Sequence, residues 1–364
     1  MTKTFKQIRI LLNSSKDFKP QRSKACLIGL FCAFFFCGIF LCNNVFAANL
    51  YVLDGGTSST CTSWTDACDQ LTTAETLIQN AGRSTGGDTV YIADGTYNGL
   101  LLNTPESGTS VITIKRCAVS DATCTTATGY SATDHDGQTL IAGAVDGLSF
   151  QTGYWVVDGL TGGGPTSWNT GFGIKVAYTG AADAIMISKT GSSITDIALR
   201  HIQVEGLGRE VANANYGTSL KCLNCSNITV SYCHLYKSFK GIADFQHGSN
   251  IIVEYSKLGP NGKSSPAEES IHGFGLGGRD LDTYTIRYNL FEDIAETYYI
   301  GFTNDAVGEI AKDCSIYGNI FWESRTLAGT TNIKVVGLSR PNTTVTNFKF
   351  YNNTIVNMLD GGLG

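Results

Sequence analysis

The sequence predicts an all-β chain wound as a right-handed parallel β-helix solenoid, closed at its start by one short capping helix. Three observations predict it: a strand-and-turn pattern that recurs at variable spacing, an asparagine held at one offset in that pattern, and an amphipathic stretch before the first strands. The pattern alternates apolar residues, reaches a turn residue, then resumes with an apolar pair. It reads Ile228-Thr229-Val230-Ser231-Tyr232-Cys233-His234-Leu235 and recurs from Ile251, Tyr284, Cys314 and Phe348, with weaker copies from Tyr154 and Ile197. Successive copies start 43, 31, 23, 33, 30 and 34 residues apart. Blades and ankyrin-like units keep a stricter length, whereas a solenoid coil absorbs insertions in its turns while its strands stay in register. Period-two alternation excludes a helical solenoid.

Asn289, Asn319 and Asn353 fall at the same offset in three consecutive copies. Asparagine tolerates left-handed backbone at a sharp corner, and its amide can bond the equivalent amide one coil away, about 4.8 Å distant. Leu71, Ala74, Leu77, Ile78 and Ala81 share one helical face, Thr72 and Glu75 fit a capping box, and Gly82 suits the stop. A helix over 72–82 in a cap region of residues 48–88 would cover the first coil, whose edges otherwise stay unpaired. Gly86–Tyr97 reads as that first coil. The last copy ends directly after a strand signal with no lid following it, which leaves open that the solenoid continues past Gly364.

Residues 1–47 have a different character. Seven lysines and arginines against Asp17 precede an apolar run from Ala25 to Cys42, followed by Val45-Phe46-Ala47. Basic flank, apolar run and small-residue site read as a secretory signal cut near Ala47, leaving a β-helix domain over 48–364 that is extracellular and has no membrane anchor. The run is about as long as the shortest membrane span, so an uncleaved anchor is the alternative. The full chain carries −5 and this segment +6, leaving −11 on the remainder, the wrong sign for nucleic acid. Cys61/Cys68 and Cys117/Cys124 each enclose six residues of polar, loop-like sequence and suit local disulfides in an oxidising compartment. Cys222-x-x-Cys225 has no second pair or histidines to complete a zinc site, and the partners of Cys233 and Cys314 stay open.

The segments "NLYVLDGGTSSTCTSW…GGDTVYIADGTY", "YTIRYNLFEDI", "CSIYGNIFWES" and "FKFYNNTIVNM" resemble the pectate-lyase-like superfamily of right-handed parallel β-helix proteins, in its secreted bacterial form. The resemblance spans residues 49–358. It implies the fold and, less specifically, a polysaccharide partner, since the superfamily holds lyases, glycoside hydrolases, epimerases, tailspikes and adhesins. It also implies a groove along the first sheet of each coil, with matching segments at 220–223, 242–245, 271–274, 298–302 and 333–336.

Two strand registers are open there. One points Lys221, Ala243, His272 and Lys334 to solvent; the other points Asp244 and Tyr299 outward and Phe245, Phe274 and Phe302 inward. The densest ionisable cluster gathers Glu268, Glu269, His272, Arg279, Asp280 and Asp282. His272 or Arg279 would act as base with Asp244 nearby, Lys221, Lys334 and Tyr299 would bind substrate, and Glu268, Glu269, Asp280 and Asp282 would hold Ca²⁺. The same cluster also reads as a solvated turn with a packing histidine. The function expected is a polysaccharide lyase on an acidic polymer, with a non-catalytic binding or adhesin-like solenoid as the alternative. A polygalacturonase-like hydrolase fits less well, because Ala243-Asp244 stands where a carboxylate pair is needed. Trp155, Trp168, Trp322, Tyr154 and Tyr298 are further candidates for sugar stacking.

Overall fold

The computed structural model of the protein describes residues 48–81, 86–103, 108–143, 146–178, 183–206, 217–238, 241–261, 274–294, 298–303, 308–324, 334–338 and 344–357. The expected signal segment and its cleavage site lie outside the described residues, among which no helix is long and apolar enough to cross a membrane.

Helix α1 (Leu71–Ala81) buries Leu71, Ala74 and Ile78 and lies against the strands Asn49–Val52 and Leu100–Leu102. It begins one residue before the expected cap, so Thr72 sits inside the first turn. Gln70 fills the flanking place: its carbonyl accepts Thr73 N, and its Oε1 accepts Asn98 N at 3.1 Å. The first coil also begins earlier than expected. Asn49–Val52 already pairs in parallel with Asp88–Ile92.

Each following coil passes through three strand positions. Leu220–Leu223, Cys225–Ser231 and His234–Tyr236 make one such coil. They pair in parallel with the first half of Ala243–Glu254, its second half, and Lys257–Leu258. Phe274–Arg287 and Leu290–Glu292 follow, then Tyr298–Phe302, Ile310–Tyr317 and Ile320–Trp322. First and second positions merge into one 17-stranded sheet because two strands run through both, and the third position forms a separate 9-stranded sheet. Every pairing between strands is parallel, and the crossovers take the right-handed sense such connections adopt. The fold is therefore a parallel β-helix.

In-register stacking places like on like in the core. Ile228, Ile251, Tyr284 and Cys314 form one buried column, and Leu235, Leu258, Phe291 and Phe321 another, with the last two rings stacked at 4.8 Å. The repeat starts read from sequence coincide with these partners for every copy but the first, where Trp155 and not Tyr154 faces Ile197. Tyr154 is itself a corner residue at φ 64°.

The asparagine ladder forms. Asn319 Oδ1 accepts both Asn289 N and Asn289 Nδ2 at 3.0 Å, and Asn353 Oδ1 accepts the same two groups of Asn319. The left-handed residue, however, is the one before each asparagine: Tyr288, Gly318 and Asn352 have φ 57°, 67° and 53°. Asparagine serves here for its amide, which caps the turn of the adjoining coil, and not for its backbone tolerance. Disulfides join Cys61–Cys68 and Cys117–Cys124, and a third joins Cys222–Cys225, whereas Cys233 and Cys314 are buried free thiols. Disulfides of this number belong to an oxidising compartment.

Candidate functional site

The register of the first sheet follows from its pairing. Lys221, Asp244, Gly277, Gly301 and Gly337 share one row, and Leu220, Ala243, Leu276, Ile300 and Val336 the row before it. Leu220, Ala243, Leu276 and Ile300 are buried, so alternation turns the Lys221–Asp244 row outward. Neither sequence register was right throughout. The strand matching Ala243–Gln246 is Leu276–Arg279 and not Ile271–Phe274, a displacement that alternation alone could not reveal. Lys221 faces outward with Asp244, while Lys334 belongs to a different row, opposite Tyr298.

Tyr299 does not reach solvent. It is fully buried against Phe291 and Phe321, and its hydroxyl donates to Trp322 O and Glu323 Oε2, both at 3.1 Å. Tyr299 and Ile300 are consecutive and both buried within the strand Tyr298–Phe302, so the period of two breaks here. Tyr298 takes the outward place. A Cβ added at Gly337 would lie 1.9 Å from the Tyr298 ring, so glycine alone lets that ring rest over the sheet. Lys334 Nζ stands 5.9 Å from the ring centroid. Trp155 is buried with its N–H on Thr152 Oγ1, while Trp322 stays exposed.

The other margin of the row is a charged corner. Gln246 pairs in register with Arg279, and the next residues, His247 and Asp280, form the left-handed turn at φ 53° and 48°. Gln246 Nε2 donates to Asp244 Oδ2 at 2.6 Å. Arg279 Nη2 lies 3.0 Å from His247 Nε2, and His247 Nδ1 lies 3.2 Å from Asp280 Oδ2. A guanidinium only donates, so Nε2 is the acceptor and the proton resides on Nδ1, donated to Asp280. Glu309 Oε1 stands 3.9 Å from His247 Nε2 and 4.0 Å from Arg279 Nε. The corner therefore sets His247 Nε2 against an arginine and Nδ1 against a carboxylate, at the end of the row that carries Lys221 and Asp244.

Of the site residues expected from sequence, the structure brings Arg279, Asp280, Asp244 and Lys221 to this margin. His272, Glu268 and Glu269 lie outside the described residues. The two described members of the expected calcium set do not fit that role. Asp280 is engaged by His247 and by Ile310 N, and Asp282 lies further along the same strand, past the turn, paired with Lys312 at 2.9 Å. Among the described residues no group of three or more His, Cys, Asp or Glu could hold a metal. Sequence reasoning missed His247, Gln246 and Glu309. The first two carried a usable signal, because Gln246-His247 and Arg279-Asp280 occupy equal offsets before the repeat in consecutive coils; Glu309 carried none.

No family model and no curated protein matches the chain. It is similar to the solved structure of an alginate lyase from Paenibacillus sp. str. FPU-7, at 12% identity over 86% of this chain and 98% of that one, with a TM-score of 0.45. It is also similar to a pectin methylesterase from Aspergillus niger, at 13% identity over 85% of each chain, with a TM-score of 0.39. A third is pectate lyase Pel9A, at 13% identity over 85% of this chain and 80% of that one, with a TM-score of 0.36. The fold itself rests on the strand pairing described above.

Proposed function

We propose that the protein is a carbohydrate-active β-helix protein that cleaves a linear acidic polysaccharide laid along the first sheet, by β-elimination. One observation carries this reading: His247, oriented by Asp280, keeps its basic nitrogen against a cation, Arg279, at the margin of the outward row that carries Lys221 and Asp244. An incoming uronate carboxylate would draw Arg279 to itself, which neutralises the substrate charge and uncovers His247 Nε2. That nitrogen takes the proton beside the carboxylate, the electron pair forms the ring double bond, the glycosidic C–O bond breaks, and the imidazolium returns its proton to the leaving oxygen. Lys221 supplies a second cation and Tyr298 a stacking surface. His272 is a rival base, and calcium held partly by Glu268 and Glu269 is a rival means of neutralising the carboxylate.

A binding solenoid without catalysis is the second reading, favoured because the described charges at the corner already have partners. The solved β-helix enzymes similar to this chain act, by their names, on alginate, pectin and pectate; at their distance they do not choose a substrate.

The test is a screen on alginate, pectate and glycosaminoglycans, with and without Ca²⁺, following the absorbance of the unsaturated product. Arg279→Ala and His247→Gln should each lower turnover about a hundredfold or more, the scale of losing a positioned base or its charge partner. A loss confined to His272→Ala moves the base to that residue. Polymer binding without product selects the binding solenoid, and turnover untouched by all three substitutions removes this site.

A further inference from the structure

A cavity of about 470 Å³ opens beside the 9-stranded sheet of third-position strands. Its walls are the turn carrying Asp136 and Gln138 and the loop carrying Asn169, and Gln203 of the strand Ile202–Glu205 forms part of the lining. The base is rigid. Arg116 pairs with Asp94 at 3.1 Å and donates to His135 O at 2.5 Å, and Asp94 also accepts Gly137 N. Gln138 Nε2 donates to Phe172 O at 2.8 Å and ties the two walls together. Asn169 is fixed through its Oδ1, which accepts Lys257 Nζ at 2.6 Å.

The polar atoms left over decide what can bind. Gln138 retains its Oε1 and Asn169 its Nδ2, while the Gln203 amide and the Asp136 carboxylate engage no side-chain partner among the described residues. Arg116, the cation lining the cavity among the described residues, is paired with Asp94, and Asp136 adds a carboxylate, so an anion such as phosphate or a uronate is disfavoured. A single carboxylate among carboxamides is a poor cation site. What remains is a mixed set of donors and acceptors in a cavity of small-molecule size, suited to hydroxyls, each of which both donates and accepts.

We propose that this cavity is a binding site for an uncharged hexopyranose unit, separate from the first-sheet row and not dependent on any catalysis there. Asp136, Gln138, Asn169 and Gln203 lie in or beside the 9-stranded sheet, whereas Lys221, Asp244 and Arg279 lie in the 17-stranded one.

The experiment is ligand-observed saturation-transfer NMR on the full-length protein, with D-glucose, D-galactose and D-mannose as probes and D-glucuronate as the charged comparison. At least one hexose should bind saturably in the millimolar range, with glucuronate about tenfold weaker or more. Gln203→Ala and Gln138→Ala should each weaken the hexose about tenfold, the scale of one or two lost hydrogen bonds. Asp136→Asn, at an exposed position and so safe for folding, should bring glucuronate to within a few fold of the hexose. Arg279→Ala should leave hexose binding unchanged, which separates this site from the first-sheet reading. Saturable binding by none of the hexoses, indifference to both glutamine substitutions in folded protein, or glucuronate binding as tightly as the hexoses would overturn the proposal.

Discussion

His234 shows how the coil treats an ionisable group it cannot expose. The ring is buried between Tyr236 and Phe172, and Nε2 donates to Gly259 O at 2.8 Å, so the neutral tautomer carries its proton there. Burial lowers its pKa to about 4, the Gly259 carbonyl opposing the shift and the nearby Lys257 adding to it. In the unfolded chain the group titrates near 6.5. Below that pH the unfolded state binds a proton that the folded state refuses, so stability present above pH 6.5 is lost as pH falls toward 4. The loss is up to about 3 kcal/mol. Glu205 acts in a lower window. Burial would raise its pKa, but Lys175 and Lys237 outweigh burial and bring it down to about 2, so its contribution fades only as pH falls from 4.5 toward 2. Denaturant unfolding at pH 7 and pH 4.5 should therefore show a drop that His234→Gln largely removes. An equal drop in the variant would assign the acid sensitivity elsewhere.

At the scale of the coil, the corners do the specifying. Cys233 N bonds Ser256 Oγ, Ser256 N bonds Asn289 Oδ1, and the ladder continues through Asn319 to Asn353. Asn319 is the most committed member: Nδ2 also donates to Ile286 O and Tyr317 O at 3.0 and 3.1 Å. Asn319→Leu would strand these carbonyls and both Asn289 donors in a dry turn, a loss of about 3–5 kcal/mol from several unmet groups. Asn353→Leu, where water reaches the turn, should lose about 1 kcal/mol. Chemical denaturation of the pair checks the order, and equal losses would refute the buried-ladder explanation.

This ladder was legible because one amide recurs at a fixed offset. The neighbouring aromatic ladder was legible for the same reason and went unread: Tyr232, Tyr255 and Tyr288 share an offset and stack at 5.1 and 5.2 Å, continuing to His201. The first sheet was not legible. Its strands are short, the stretches of sequence before them vary in length, and register there is set by the pairing of coils and not by local pattern. That displaced the expected segment at 271–274 and turned Tyr299 outward, because nothing in Tyr298-Tyr299-Ile300 announces two consecutive buried residues. The corner site depended on that register, so Arg279 and Asp280 were found as charges while His247 was not.

For the whole molecule, charge sets the terms of meeting a polymer. From residue 48 onward the chain carries −11, so a polyuronate is repelled at long range by the protein that is proposed to cleave it. The attraction is local: Lys221 and Arg279 lie on the first-sheet face and act over a few ångströms. These two ranges separate with salt. At about 10 mM the screening length is roughly 30 Å and the whole negative surface is felt, whereas at about 100 mM it is roughly 10 Å and contacts of 3–4 Å survive. Association of an acidic oligosaccharide should therefore become faster between about 10 and 100 mM salt, on the order of severalfold, and then level off or decline as the local pairs are screened in turn. A polycation-type groove would show the opposite trend throughout, with affinity falling at every step of added salt. Stopped-flow association rates over that series decide between them. A monotonic decrease from the lowest salt would mean that residues near the groove present far more positive charge than Lys221 and Arg279, and would move the polymer's approach away from the face described here.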